Sequence, residues 1–234
     1  MGGRLDSTNV IPSPEVAVVT NIGLDHQAFL GTDIRSIARE KGGIFKSGVP
    51  VVLGPMRPDA QSELLAAALK TSSEVHFAAD FKNALSNHVR SDDSFVVKAN
   101  AGTAYAALHV LKQQGWRWSE DALSHGLKNH TSLTGQLGRW QCVELPNRPL
   151  VVLDGAHNVD GVSKTVQELR ARVHQRGGAL HIVWGAVSDK DPSSVMALLP
   201  ETARYWWCAA DIPRAMAPTL VARVKPELQG EVMD

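Results

Sequence analysis

The feature that most limits the fold is an alternation. From residue 15 to residue 225, short β-branched runs alternate with runs whose apolar residues recur at helical spacing. "EVAVVTNI" (15–22), "VPVVLG" (49–54) and "EVHFAA" (74–79) read as strands, each bounded by Pro, Gly or Ser. A helical run follows the turn Gly31-Thr32-Asp33, and a second helix is predicted over 58–70. Residues 81–98 are polar and mixed and predict a hairpin or an irregular excursion. "NAGTAYAALHVLKQQG" predicts a helix over 100–115 that starts at Asn100, and "SEDALSHGLKN" predicts a Ser-capped helix over 119–129. "HTSLTGQLG" (130–138) reads as a linker. Beyond it come strands at 139–145 and 149–154, a helix at 158–175, a strand at 179–186, a helix at 192–199, a strand at 204–210 and a helix at 217–225. Such alternation implies an α/β fold, with a mostly parallel sheet covered by helices. The linker places a domain boundary near residue 135, giving domains 1–134 and 135–234.

Composition narrows the function classes. Apolar residues make up 44% and charged residues 21% of the 234, as in ordinary globular proteins. The formal net charge is zero, which leaves no electrostatic footprint for nucleic acid or a membrane surface. Cys142 and Cys208 form no metal or redox motif and fit a reducing compartment. No apolar run approaches the length of a membrane span, and the N-terminus has no signal-peptide core. A cytoplasmic protein is expected.

Several residues sit where chemistry is done. In "TDIRSIAREKGGIFKSGVP", Lys41 lies seven residues after Ile34 and four after Ile37, on the apolar stripe of its own helix. It can snorkel, stem on the core and head in water. Alternatively it is desolvated, which lowers an amine's pKa and lets it act as a nucleophile or take up carbon dioxide as a carbamate. Gly42 and Gly43 follow, a costly pair in a helix, and imply close approach of another part of the chain or an early helix end. Asp25-His26 stands just beyond the first strand, where ligands collect in parallel sheets. The imidazole could bind a divalent cation or orient a phosphate, or the pair is an ordinary surface loop. "VVLDGAHNVDG" (151–161) ends a strand at Asp154 and turns into a helix through His157 and Asn158. Asn158 can cap that helix, whose N-terminus favours an anion, which leaves Asp154 and His157 as candidate ligand contacts. "GAVSDKD" (185–191) repeats the pattern and is either a second wall of that cleft or a turn of capping residues. Arg139, in "LGRW" just after the linker, is placed to reach across an interdomain cleft.

The order of these motifs resembles the Mur ligase superfamily, and within it the folylpolyglutamate synthase/dihydrofolate synthase branch. "GGRLDSTNVI" (2–11), "VAVVTNIGLDH" (16–26), "IAREKGGIFKSGVP" (37–50), "NAGTAYAAL" (100–108), "LGRW" (137–140) and "LDGAHNVDG" (153–161) carry the likeness. The resemblance implies a partial central ATPase domain followed by a partial Rossmann-like C-terminal domain. It also implies an ATP-dependent ligase that adds L-glutamate to a pteroate or folate carboxylate through an acyl phosphate. ATP and Mg2+ are the implied cofactors. By the same likeness His26 would ligate the metal, and Lys41 would be carbamylated and support the metal site. Asp6, Ser7 and Thr8 would line the pterin site, and Asn100, Arg139 and Asp154 would contact ATP. His157 would share that cleft as a catalytic candidate.

Departures shape the expectation too. No G-x-x-G-K-[GST] phosphate loop occurs, and no glutamate precedes Gly2-Gly3-Arg4-Leu5-Asp6. Gly42 stands where the family pattern has Ala, and Val159 where Pro is common. The chain therefore resembles the middle and later part of a ligase. It is expected to show negligible turnover alone, and either to be poorly soluble or to associate with a complementary ligase fragment. The alternatives are a non-catalytic folate- or nucleotide-binding remnant, and another Mur-type amino-acid ligase.

Overall fold

A strand that is apolar on both faces must be covered on both. Val51, Val52 and Leu53 are such a strand, and all three are essentially inaccessible to solvent. The computed structural model describes residues 3–24 and 30–233. Contacts divide the chain into two units, Met1–Gly155 and Ala156–Asp234.

In the first unit, β1 (Ala17–Val19), β2 (Val51–Leu53) and β3 (Val75–Phe77) form a parallel sheet in the order β1-β2-β3. Ala17 pairs with Val51, and Val51 with Val75. One face carries Ala17, Val19, Val51 and Leu53, which pack on α1 (Ile34–Gly42) and α2 (Pro58–Lys70) through Ile37, Ala38, Leu64 and Ala68. The opposite face carries Val52, which packs on Ala106 and Val110 of a third long helix. Local chemistry starts these helices. The Asp33 carboxylate accepts from the Ser36 amide and hydroxyl at 3.0 and 2.6 Å. Pro58 opens α2, where its missing N–H costs nothing.

The region expected to be a hairpin or irregular is irregular over residues 86–94 and helical on either side of them. A 3-10 turn (Ala78–Phe81) runs into α3 (Lys82–Leu85), and the long helix α4 spans Phe95–Gln113. Fully buried Ser94 caps it by accepting from the Val97 amide at 3.2 Å. Asn100 is therefore not the first residue of its helix but lies within it.

Ser119 caps α5 (Glu120–Lys128), as the sequence indicates. The expected linker begins as a short helix, α6 (His130–Thr134), closed by Gly135 in the left-handed region. The next two strands, β4 (Gln141–Val143) and β5 (Val151–Leu153), form an antiparallel hairpin of their own instead of joining a parallel sheet. Only a short turn separates them, too short for a parallel crossover.

In the second unit, α7 (Val159–Arg176), β6 (His181–Trp184), α8 (Ser193–Met196), β7 (Arg204–Trp207), α9 (Pro218–Val224) and β8 (Gly230–Val232) follow in turn. Their strands form a parallel sheet in the order β6-β7-β8. The third strand carries no sequence signal, because "GEV" is too short and polar to give one. Its register sets Gly230 beside Tyr205, where any Cβ would lie 2.7 Å from the tyrosine Cβ. Tyr205 and Trp207 stack with ring centroids 4.9 Å apart, and the Tyr205 hydroxyl donates to the Pro200 carbonyl at 2.6 Å. Val162, Val166, Met196 and Val221 close this core. No helix among the described residues is long and apolar enough to cross a membrane.

Candidate functional site

The two glycines after Lys41 each admit something different. A Cβ on Gly42 would meet the Ala67 Cβ at 2.9 Å, so Gly42 lets α2 lie close against α1. A Cβ on Gly43 would meet the Arg4 Cβ at 2.5 Å, so Gly43 admits the N-terminal segment. Lys41 itself is half-buried at the edge of a stripe formed by Ile34, Ile37, Ala38 and Gly42. Among the described residues its ammonium makes no hydrogen bond or ion pair. The structure thus places Lys41 beside the buried stripe rather than inside it.

Helix C-termini leave carbonyls without intrahelical partners, and here the chain itself supplies some. The Arg4 amide donates to the Glu40 carbonyl at 2.8 Å, and the Arg4 guanidinium reaches the Glu40 carboxylate at 3.3 and 3.4 Å. Gly3 adopts φ +133° against that same carbonyl, a conformation that disfavours any side chain. The segment continues as a 3-10 turn, Ser7–Val10. Asp6 caps it, accepting from the Thr8 amide at 2.9 Å and the Thr8 hydroxyl at 2.6 Å. Asp6, Ser7 and Thr8 are therefore held on the segment that docks at the carboxyl end of the Lys41 helix. Ser7 and Thr8 are exposed.

Asn100 belongs to the other face of the sheet. It is exposed, one turn before the buried Thr103 of α4. Thr103 meets the chain at the carboxyl end of β2, where a Cβ on Gly54 would lie 2.7 Å from the Thr103 hydroxyl and would collide with the Thr20 carbonyl. The Gly54 amide donates to the Val19 carbonyl at 2.8 Å. Asn100 is thus positioned near the strand ends where α/β sheets bind ligands. His26 lies outside the described residues. Among those described, no group of three His, Cys, Asp or Glu side chains forms a metal cage.

Arg139 and Asp154 are brought together. The Asp154 carboxylate accepts from the Trp140 amide at 2.9 Å, and the Gly155 amide donates to the Gly138 carbonyl at 2.7 Å. These bonds bracket Arg139, whose side chain is exposed. Trp140 is buried at φ +49°, a conformation the Asp154 contact helps to hold.

In the second unit, Asn158 caps α7 by accepting from the Gly161 amide at 2.8 Å. His157, just before it, is exposed. In "GAVSDKD", Asp191 caps the following turn through the Ser193 amide and hydroxyl, which hold its carboxyl below the usual range. Asp189 pairs with Arg214 at 3.4 Å. The capping reading therefore accounts for Asp191.

Comparison with known proteins agrees with the motif order. Residues 138–232 match the family described as Mur ligase, glutamate ligase domain. The dihydrofolate synthase/folylpolyglutamate synthase of Escherichia coli K12 is 33% identical, over 89% of this chain and 49% of its own length. The Bacillus subtilis protein of the same description is 31% identical, over 92% of this chain and 53% of its own. The structure of E. coli FolC in complex with DHPP and ADP superposes with a TM-score of 0.79 at 27% identity, covering all of this chain and 56% of that one. A Yersinia pestis bifunctional folylpolyglutamate synthase/dihydrofolate synthase, complexed with AMPPNP and a Mn ion, gives 0.73 at 27% identity. The α/β fold, with parallel sheets and helices, is that of these proteins. The chain spans about half the length of the curated relatives it matches.

Proposed function

We propose that this chain, a partial homologue of the dihydrofolate synthase/folylpolyglutamate synthases with a Mur ligase glutamate ligase domain, forms part of an ATP-dependent ligase. The reaction joins L-glutamate to the carboxylate of a dihydropteroate or folate. The acceptor carboxylate attacks the γ-phosphorus of ATP and expels ADP. The glutamate amine then attacks the acyl phosphate, losing a proton as phosphate departs. The observation that carries this reading is the docking of the segment bearing Asp6, Ser7 and Thr8 onto the carboxyl end of the Lys41 helix. It holds the proposed acceptor-lining residues against the end of the helix that carries the lysine.

Each residue has a role in the proposal. Asp6, with its carboxylate already oriented by Thr8, and the exposed Ser7 and Thr8 offer hydrogen-bonding groups to a pterin. Asn100 and Arg139 are exposed and contact ATP, with Arg139 a ready partner for phosphate oxygens. Asp154 holds the Arg139 loop through Trp140 and adds a contact of its own. His157, exposed just before α7, is the remaining catalytic candidate. The proposed domain division stands near residue 135, beside residue 138, where the family match starts. A divalent metal, Mg2+ in this proposal, would be held in part by His26 and would supply positive charge for the transferring phosphoryl group. The described residues alone do not build its cage.

Lys41 is proposed to react with carbon dioxide: its ammonium gives up one proton, the amine nitrogen bonds the carbon, and a second proton leaves the nitrogen as the carbamate forms. The group changes from cation to anion, which suits a residue beside a metal. With 13C-labelled bicarbonate, the wild-type protein should show a carbamate resonance that Lys41→Arg lacks. Lys41→Ala should abolish most turnover, and unchanged turnover sinks the carbamate role.

The deciding assay is glutamate-dependent ATP turnover by the protein with its natural termini. Dihydropteroate, tetrahydrofolate and UDP-muramoyl acceptors are supplied separately. Turnover with either pterin acceptor is expected. Turnover only with the muramoyl acceptor moves the protein to another ligase branch. Pterin binding without turnover with any acceptor makes it a binding remnant.

A further inference from the structure

We propose that Asn9 is a positioning residue that locks the acceptor segment onto the helix of Lys41, an inference that rests on the ligase reading above. Its side-chain amide donates twice, to the Arg4 carbonyl at 2.9 Å and to the Gly43 carbonyl at 3.2 Å. The first bond closes the segment on itself across Leu5, Asp6, Ser7 and Thr8. The second fastens the closed segment two residues beyond Lys41. Asn9 in turn offers its own carbonyl to the Lys46 ammonium at 3.2 Å, a charge-assisted bond. At the other end of the segment, Arg4 is fastened to Glu40, one residue before Lys41. The segment is thus pinned on both sides of the lysine, and Asp6, Ser7 and Thr8 are suspended between the pins.

The chemistry requires an amide at this position. A carboxylate of the same shape only accepts, and Asn9→Asp would set an anion against two carbonyl oxygens. Ala removes both donations and leaves the carbonyl contact to Lys46 in place. The arrangement also suits the negative end of a helix dipole, where the Lys46 and Arg4 cations both stand. Fixing the segment before the ligand arrives spares the binding step an ordering cost. Asn9 touches no reacting group in this scheme and acts through the residues it holds.

The test uses the protein with its natural termini and has two arms. Hydrogen exchange on the unliganded protein reads the lock directly. Asn9→Ala and Asn9→Asp should speed exchange at the amides of Arg4, Asp6 and residue 9, while the amides of α1 stay protected. Titration with dihydropteroate, and separately with AMPPNP, reads the positioning. The acceptor should bind about tenfold more weakly, the scale of two lost hydrogen bonds, with AMPPNP affinity unchanged. In turnover, the acceptor KM should rise while kcat holds. Lys46→Arg should retain acceptor affinity and Lys46→Met should lose part of it. Unchanged exchange overturns the lock. Faster exchange with unchanged acceptor affinity makes Asn9 a structural clasp only and overturns the positioning role. Equal loss of acceptor and AMPPNP affinity shows general disruption and overturns it too. If wild type binds no dihydropteroate while the exchange result holds, the ligase reading and the positioning role both fail, and the clasp remains.

Discussion

At the scale of single residues, the sequence marks a position well and its partner badly. Asp154 stands out in the sequence because it ends a strand before a polar turn. Its contact with the Trp140 amide was not legible, since that contact spans fourteen residues and depends on a hairpin. The residue thus has two roles, which two substitutions separate. Asp154→Ala leaves the Trp140 amide without this acceptor and should cost about 1 kcal/mol of stability, seen in chemical denaturation. Asp154→Asn keeps a carbonyl oxygen for that amide, so stability should hold while ATP affinity falls. If Asp154→Asn retains full ATP affinity, the residue only braces the loop. Lys41 shows the same limit. Its spacing placed it on the buried stripe, yet it is half-buried at the edge, because side-chain length lets a lysine lean out from a stripe position.

At the scale of elements, helices with good caps and clean periods were legible: residues 58–70 are helical as read, and Ser119 and Asn158 cap as expected. The failures share a cause. The start of α4 and the third strand of the second sheet carry weak local signals, and tertiary packing decided both. The Gly42 contact is the clearest packing device. Its bare Cα faces the Ala67 Cβ, so the space that a methyl on α1 would take is filled by a methyl on α2. Gly42→Ala gains at most about 1 kcal/mol in helix propensity. Overpacking costs about 1–3 kcal/mol, so net destabilisation is expected. Ala67→Gly should relieve it. In a double-mutant cycle by urea denaturation, the pair should show a favourable coupling of about 1 kcal/mol. Purely additive effects would mean that the two helices move apart freely.

At the scale of the whole molecule, each unit is exposed to pH at a different end. Asp33, the α1 cap, is held below its ordinary 3.8, first by the Ser36 hydroxyl. Its contribution is therefore present above that value and is lost as pH falls through the lowered one. Asp33→Ala should lower the thermal midpoint at neutral pH and flatten the acid dependence of the first unit's melting. Tyr205 in the second unit is pushed up to about 12 by burial, from an ordinary 10.0. Its contribution is present below pH 10 and is lost as pH rises toward 12, by roughly 2–3 kcal/mol. Tyr205→Phe should remove that loss, read as a smaller fall in stability between the two values. A wild-type tyrosine titration complete by pH 10.5 would contradict the burial argument.

By itself, the sequence determined the α/β class, most helices and their caps, and the likeness to the dihydrofolate synthase/folylpolyglutamate synthases. Each depends on residues a few positions apart, where period and capping act. Tertiary structure alone decided why two glycines follow Lys41, what Asn9 fastens, and that β4 and β5 pair with each other. Those outcomes depend on close approach between segments distant in the chain, and no local pattern encodes a distance.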